Sequence, residues 1–245
     1  MSDETTAPRS RKKWLLENVI SIGIALFLVL IIRSSIIEAY KIPSGSMIPT
    51  LLVGDHIFVN KFAYGIKVPF TEWFMDPIYI MKREPPKRGD IIVFKYPLDE
   101  SIYYIKRVVG TPGDEIEVRN KRLYVNGSEV KAEEYSEKES IEIKDIIDPE
   151  KYSLKDLTLF KETLSGAEHT IMLDGTNYYT TEFQKIKVPE GKYFVMGDNR
   201  DHSSDSRFWN FVPMENVKGQ AVVIWLSLWF DDFTFRPERI GTVLK

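Results

Sequence analysis

The sequence of 245 residues contains no cysteine. That removes disulfides, thiol catalysis and cysteine-ligated metals together, while leaving the redox compartment open. Histidine is scarce, with only His56, His169 and His202 present. Any hydrolytic mechanism built on imidazole has just these three to draw on. A cationic excess is missing too: 33 Lys and Arg face 36 Asp and Glu, for a formal charge of −3. This balance argues against nucleic acid as a partner. There is no internal repeat, and only one long apolar run.

That run lies near the N-terminus. Residues 1–10 are polar, "RKK" follows, and "WLLENVISIGIALFLVLIIRSSII" begins at Trp14. Residues 19–32 carry no charge. A bilayer core about 30 Å thick needs about 20 helical residues, so 14–37 spans one if Glu17 and Arg33 sit near its faces, with Arg33 snorkelling. The alternative, a cleaved signal peptide, lacks a small-residue cleavage pattern in "RSSIIEAYKIP". The retained span therefore predicts a tail over 1–13 and a transmembrane helix over 14–37. Arg9, Arg11, Lys12 and Lys13 precede the span and put the N-terminus in the cytoplasm by the positive-inside rule. The later run "AVVIWLSLWF" is too short to cross.

Beyond Tyr40 the apolar period changes to two. "HIFVNKF", "DIIVFKY", "YYIKRVV", "DEIEVRN", "RLYVNGSEV", "YFVMGD" and "AVVIWLSL" are short β-branched and aromatic runs bounded by turn residues. Asn126-Gly127 carries a hairpin signal. The expected class is mainly β and antiparallel. Residues 129–181 differ, being rich in Glu and Lys with poor alternation. They are read as an inserted subdomain between two parts of the body, 38–128 and 182–245; a disordered acidic loop is the competing reading. Two stretches are rich in aromatics. Phe70, Trp73, Phe74 and Trp229 are either core or residues that dip into a membrane interface.

Three stretches carry the chemistry. In "KIPSGSM", Pro43 and Gly45 shape a turn that presents Ser44 and Ser46, though it does not match the Gly-x-Ser-x-Gly elbow. In "SIYYIKRVVGTPGD", Ile102, Tyr104, Lys106 and Val108 share a strand face. Lys106 is then either dry, with a lowered pKa suited to a general base for serine, or snorkelling to a solvated edge. In "VMGDNRDHSSDSRFWNFVP", Asp198, Asn199, Arg200, Asp201, Asp205 and Arg207 crowd one loop. Spacing excludes an EF-hand there. Arg–carboxylate pairs are the ordinary reading, and His202 beside Asp201 leaves a Ser-His-Asp arrangement open.

Taken in order, "IPSGSMIPTLLVGDHIFVNKFAYG", "KRGDIIVFKYP", "YIKRVVGTPGD" and "GDNRDHSSDSRFWNFVP" resemble the boxes of bacterial type I signal peptidases (leader peptidases), membrane-anchored Ser-Lys endopeptidases. The resemblance implies an open-barrel-like antiparallel β catalytic domain with an inserted second domain. It implies Ser46 as nucleophile and Lys106 as general base. The Ser46 N–H and Ser44 hydroxyl would form the oxyanion hole, Ser203 would orient the lysine, and Asp205 and Arg207 would support the site. His202 stands where the family usually has asparagine. Ile42, Pro43, Ser44, Gly45 and Ser46, with Ile102 and Tyr104, are candidate walls for substrate pockets. The implied partners are preprotein signal peptides, cut after Ala-x-Ala-like sites, and a lipid bilayer; no cofactor or metal is implied. The implied location is the cytoplasmic (inner) membrane, with the catalytic domain on its extracytoplasmic (periplasmic) side. Many Gram-negative relatives have two spans, against one here. Competing readings are a non-catalytic anchored scaffold and the self-cleaving Ser-Lys repressor peptidases.

Overall fold

A computed structural model describes residues 11–68, 71, 78–134, 156–229 and 233–244. Helix α1 covers Arg11–Ser35. Its uncharged centre leaves the apolar side chains facing outward on all sides: Leu16, Val19, Ile22, Leu26 and Phe27 are all more than half exposed. Within Arg11–Ile31, an 18-residue window reaches a mean hydropathy of 2.3. At 1.5 Å per residue, the full helix is about 37 Å long, enough to cross a hydrocarbon core. The helix starts before the expected residue 14 and stops short of 37, since Ile37 already opens the first strand.

The body is antiparallel. β1 (Ile37–Lys41), β2 (Asp55–Asn60), β5 (Ile91–Tyr96), β6 (Asp99–Gly110), β14 (Lys192–Met196), β15 (Val212–Pro213) and β16 (Val217–Trp229) form the main sheet in the order β1-β2-β16-β5-β6-β14-β15. β17 (Thr234–Phe235) pairs with β16. The outer strands β1 and β15 do not pair with each other, so the sheet stays open. β16, the late run too short for a span, is a central strand. Irregularities in its register against β2 bend it around the core.

β5 explains why a continuous apolar run is needed in mid-sheet. Ile91 and Val93 join a cluster with Ile42, Met47, Leu51 and Ile57. Ile92 and Phe94 face the other way, against Val108, Tyr193, Trp209 and Val212. Both faces of the strand are dry, as is common only in central strands.

Smaller sheets attach to this body. β7 (Glu115–Arg119), β8 (Arg122–Val125), β9 (Ser128–Glu129) and β13 (Phe183–Lys187) form one, and β3 (Gly65–Lys67) with β4 (Tyr79–Lys82) form another. The expected hairpin is there: Val125 pairs with Ser128 across Asn126 and Gly127, at φ 53° and 80°, the left-handed values that such a turn demands. Within the Glu/Lys-rich stretch, β10 (Ala132–Glu134), β11 (Leu157–Leu164) and β12 (Ala167–Asp174) form a three-stranded sheet. Leu157, Leu159, Leu164, Ile171 and Met172 of that sheet are buried. Ile141, Ile143, Ile146, Ile147 and Leu154, further apolar residues of the same stretch, lie outside the described residues. So do Phe70, Trp73 and Phe74, whereas Trp229 ends β16 half-buried.

Candidate active site

The serine turn follows directly from β1. Across its neck the Gly54 N–H donates to the Ile42 carbonyl and the Ile42 N–H to the Asp55 carbonyl, and Met47, Ile48, Leu51 and Leu52 bury beneath it. The turn is held from two further sides. Thr50 Oγ1 donates to Asp198 Oδ2 at 2.6 Å. Arg239 grips Asp55 with Nε and Nη2, and Nη2 also reaches the Thr50 carbonyl. Asp55 is fully buried and accepts from Ser227 Oγ and the Leu52 N–H as well. The turn is thus a rigid platform.

Lys106 lies in mid-strand on β6, paired with Ile92 of β5, and is 4% exposed. It does not snorkel. Its Nζ donates to Ser46 Oγ at 2.7 Å and to the Ile105 carbonyl at 2.9 Å, and lies 5.4 Å from the Tyr104 ring centroid. Burial pushes its pKa down to about 8, partly opposed by the negative charges of Asp205 and Asp198. Ammonium ions lose hydration in such a place, and desolvation favours the neutral amine.

The loop 197–205 closes the other side. Asp205 caps α2 (Ser206–Trp209), accepts the Gly197 N–H at 3.0 Å and takes both Nε and Nη2 of Arg207. Asp198 is fully buried against Arg107, Nε to Oδ1 at 2.9 Å and Nη2 to Oδ2 at 2.8 Å. These guanidinium partners hold both carboxyls below the usual range despite burial. Asn199 ties loop to turn, its N–H on the Ser46 carbonyl and its Nδ2 on the Gly45 carbonyl. A Cβ on Gly197 would collide with both the Ser46 carbonyl oxygen and Ser203 Oγ. Only glycine permits that approach.

The site residues read from the sequence fall into three groups. Ser46 and Lys106 are in direct contact, and Asp205 and Arg207 pair beside them. Ser44 is exposed on the same turn. Ser203 is buried, close enough to Asp205 to help hold its pKa down, but Ser203 Oγ makes no hydrogen bond of ordinary geometry; the hydrogen bonds of Lys106 go to Ser46 and Ile105. His202 stands apart: it is exposed, with Nε2 at 2.8 Å from Asp174 Oδ2. Its neighbour Asp201 instead receives the Asp174 N–H and Lys121 Nζ. His56 faces the Gly54 carbonyl, and His169 lies against Glu162. The roles of Arg107, Thr50 and Gly197 were not legible from strand periodicity, because each depends on a partner distant in sequence.

A family model described as signal peptidase, peptidase S26, matches residues 15–227. The signal peptidase I of Pseudomonas aeruginosa is 44% identical over 213 residues, covering 82% of this chain and 69% of the relative. That of Buchnera aphidicola (subsp. Acyrthosiphon pisum) is 38% identical over 265 residues, covering 95% and 83%. A solved signal peptidase I from Enterococcus faecalis shares 32% identity, covering 56% of this chain and 97% of its own, with a TM-score of 0.32. The chain belongs to the signal peptidase family. It is therefore a peptidase, and α1 gives this signal peptidase a helix suited to membrane attachment.

Proposed function

We propose that this signal peptidase cleaves signal peptides from exported preproteins with a Ser46–Lys106 dyad. The observation that carries the reading is the 2.7 Å contact between Lys106 Nζ and Ser46 Oγ in a site dry enough to lower the lysine pKa to about 8. At neutral pH about a tenth of such a lysine is the free amine, a competent general base. Neutral Lys106 takes the Ser46 proton as Oγ bonds to the scissile carbonyl carbon. The Ser46 N–H and the Ser44 hydroxyl hold the developing oxyanion. The Lys106 ammonium then protonates the departing amine as the peptide bond breaks. Water, deprotonated in turn by Lys106, hydrolyses the acyl-enzyme. Asp205 and Arg207 keep the loop in place, and Ser203 is available to orient the amine.

The rings of Tyr40 and Tyr103 lie 5.7 Å apart, which brings β1 and β6 together. Tyr104, with its ring centroid 5.4 Å from Lys106 Nζ, is a wall candidate for selecting small side chains at Ala-x-Ala-like cleavage sites, whereas Ile42 is buried in the core beside Met47 and Leu51. The body formed by 38–128 and 182–245 is the catalytic domain, with 129–181 inserted. The N-terminus lies in the cytoplasm, α1 crosses the inner membrane, and the catalytic domain faces the extracytoplasmic side. The test is cleavage of a purified preprotein: Ser46→Ala and Lys106→Met each abolish it, and His202→Ala retains most of it. Equal loss in His202→Ala would revive a histidine mechanism, and full processing by Ser46→Ala would support a scaffold.

A further inference from the structure

One buried charge cluster has no part in that mechanism. Glu162, on β11 of the Glu/Lys-rich insertion, is 1% exposed. Its carboxylate takes both terminal nitrogens of Arg200, Nη1 on Oε1 at 2.8 Å and Nη2 on Oε2. His169 of β12 lies 3.1 Å from the same carboxylate. The contact continues toward the dyad. The Arg200 carbonyl accepts from Arg207 Nη2, and the Arg207 guanidinium grips Asp205. The groups that bear on Lys106 are Asp205, Asp198 and Arg207, and Arg200 itself sits in the field of Asp198 and Asp205. β12 adds a backbone link, the Met172 N–H donating to the Asp198 carbonyl.

We propose that Glu162 is a positioning residue for the peptidase reaction, clamping and neutralising Arg200 from the inserted hairpin so that the 198–207 loop holds its charges in balance around Lys106. This rests on the Ser46–Lys106 reading. With Glu162 neutral, Arg200 becomes an unpaired buried cation beside Asp198 and Asp205. It competes for those carboxylates and adds positive potential at Lys106, disfavouring the ammonium. The base then titrates at lower pH, and the loop that seats it loosens.

The test is the pH dependence of kcat/KM for preprotein cleavage by the full-length chain in detergent micelles. In Glu162→Gln the acidic limb moves down by about half a pH unit or more, and kcat falls more than KM changes. The limb's midpoint belongs to the active molecules and does not depend on the fraction folded. Adding Arg200→Gln restores the limb, because the pair's net charge is again zero. Glu162→Asp keeps the charge but shortens the reach, so its limb matches the parent while kcat falls; this variant decides the matter if Glu162→Gln does not fold. A parental profile in Glu162→Gln, a lower kcat with an unmoved limb there, a shift that persists in the double variant, or full activity in Glu162→Asp would each overturn the proposal. Ser46→Ala and Lys106→Met run in the same assay. Activity in either sinks the dyad itself, whereas two dead controls beside a parental Glu162→Gln sink only the role of Glu162.

Discussion

Helix α1 and the 198–207 loop invert the usual distribution of side chains in opposite ways. α1 turns Leu16, Val19, Leu26 and Phe27 outward, whereas the loop turns Asp198, Arg200, Asp201 and Asp205 inward, each at 6% exposure or less. Neither arrangement suits water. The helix satisfies its own backbone and offers hydrocarbon to hydrocarbon. In the loop, guanidinium and carboxylate replace each other's hydration. The second solution matters for chemistry: it surrounds Lys106 with fixed charges while keeping solvent out. A dry apolar pocket alone would lower the lysine pKa further; Asp205 and Asp198 temper the effect.

This contrast can be broken from either side. The largest effect is expected for Asp198→Asn, which leaves Arg107 a buried cation without its carboxylate and costs about 3–5 kcal/mol in denaturant unfolding. A loss below about 1 kcal/mol would mean that the loop is wet. Next, Leu26→Arg places a charge at mid-helix and costs about 2.5–3.5 kcal/mol of insertion, read as a drop in the membrane fraction. An unchanged fraction would deny that α1 spans.

A smaller effect is expected at Lys106. Its folded pKa is lowered from 10.5 to about 8, so between those values the folded state binds fewer protons than the unfolded state. The penalty is full below about pH 8 and fades as pH rises toward 10.5; stability of the parent should climb through that window. Lys106→Met removes the penalty along with two hydrogen bonds and should stabilise the inactive protein at pH 7 by about 1–3 kcal/mol. Destabilisation instead would mean that the lysine is not strained by burial. The smallest effect is His202→Ala, whose exposed pair with Asp174 is worth about 1 kcal/mol or less.

Much of this was legible in the sequence, for a physical reason in each case. The uncharged run in α1, the alternation in β6 that aims Lys106 with Tyr104 and Val108, and the Asn126-Gly127 turn are local patterns, and local patterns survive folding. The pairing of Ser46 with Lys106 came from a family resemblance; periodicity alone left the lysine free to snorkel. Glu162 stayed hidden. Along β11 the buried positions run Leu157, Leu159, Glu162 and Leu164, a change of phase that no alternation rule anticipates. Its partner Arg200 lies 38 residues away in sequence. Buried ion pairs of this kind are tertiary facts.

The most direct test is an NMR titration of Lys106, with isotope-labelled lysine side chains in the Ser46→Ala protein and assignment by the signal that Lys106→Met removes. The expected midpoint is about 8. A midpoint at the ordinary lysine value of about 10.4 would contradict it.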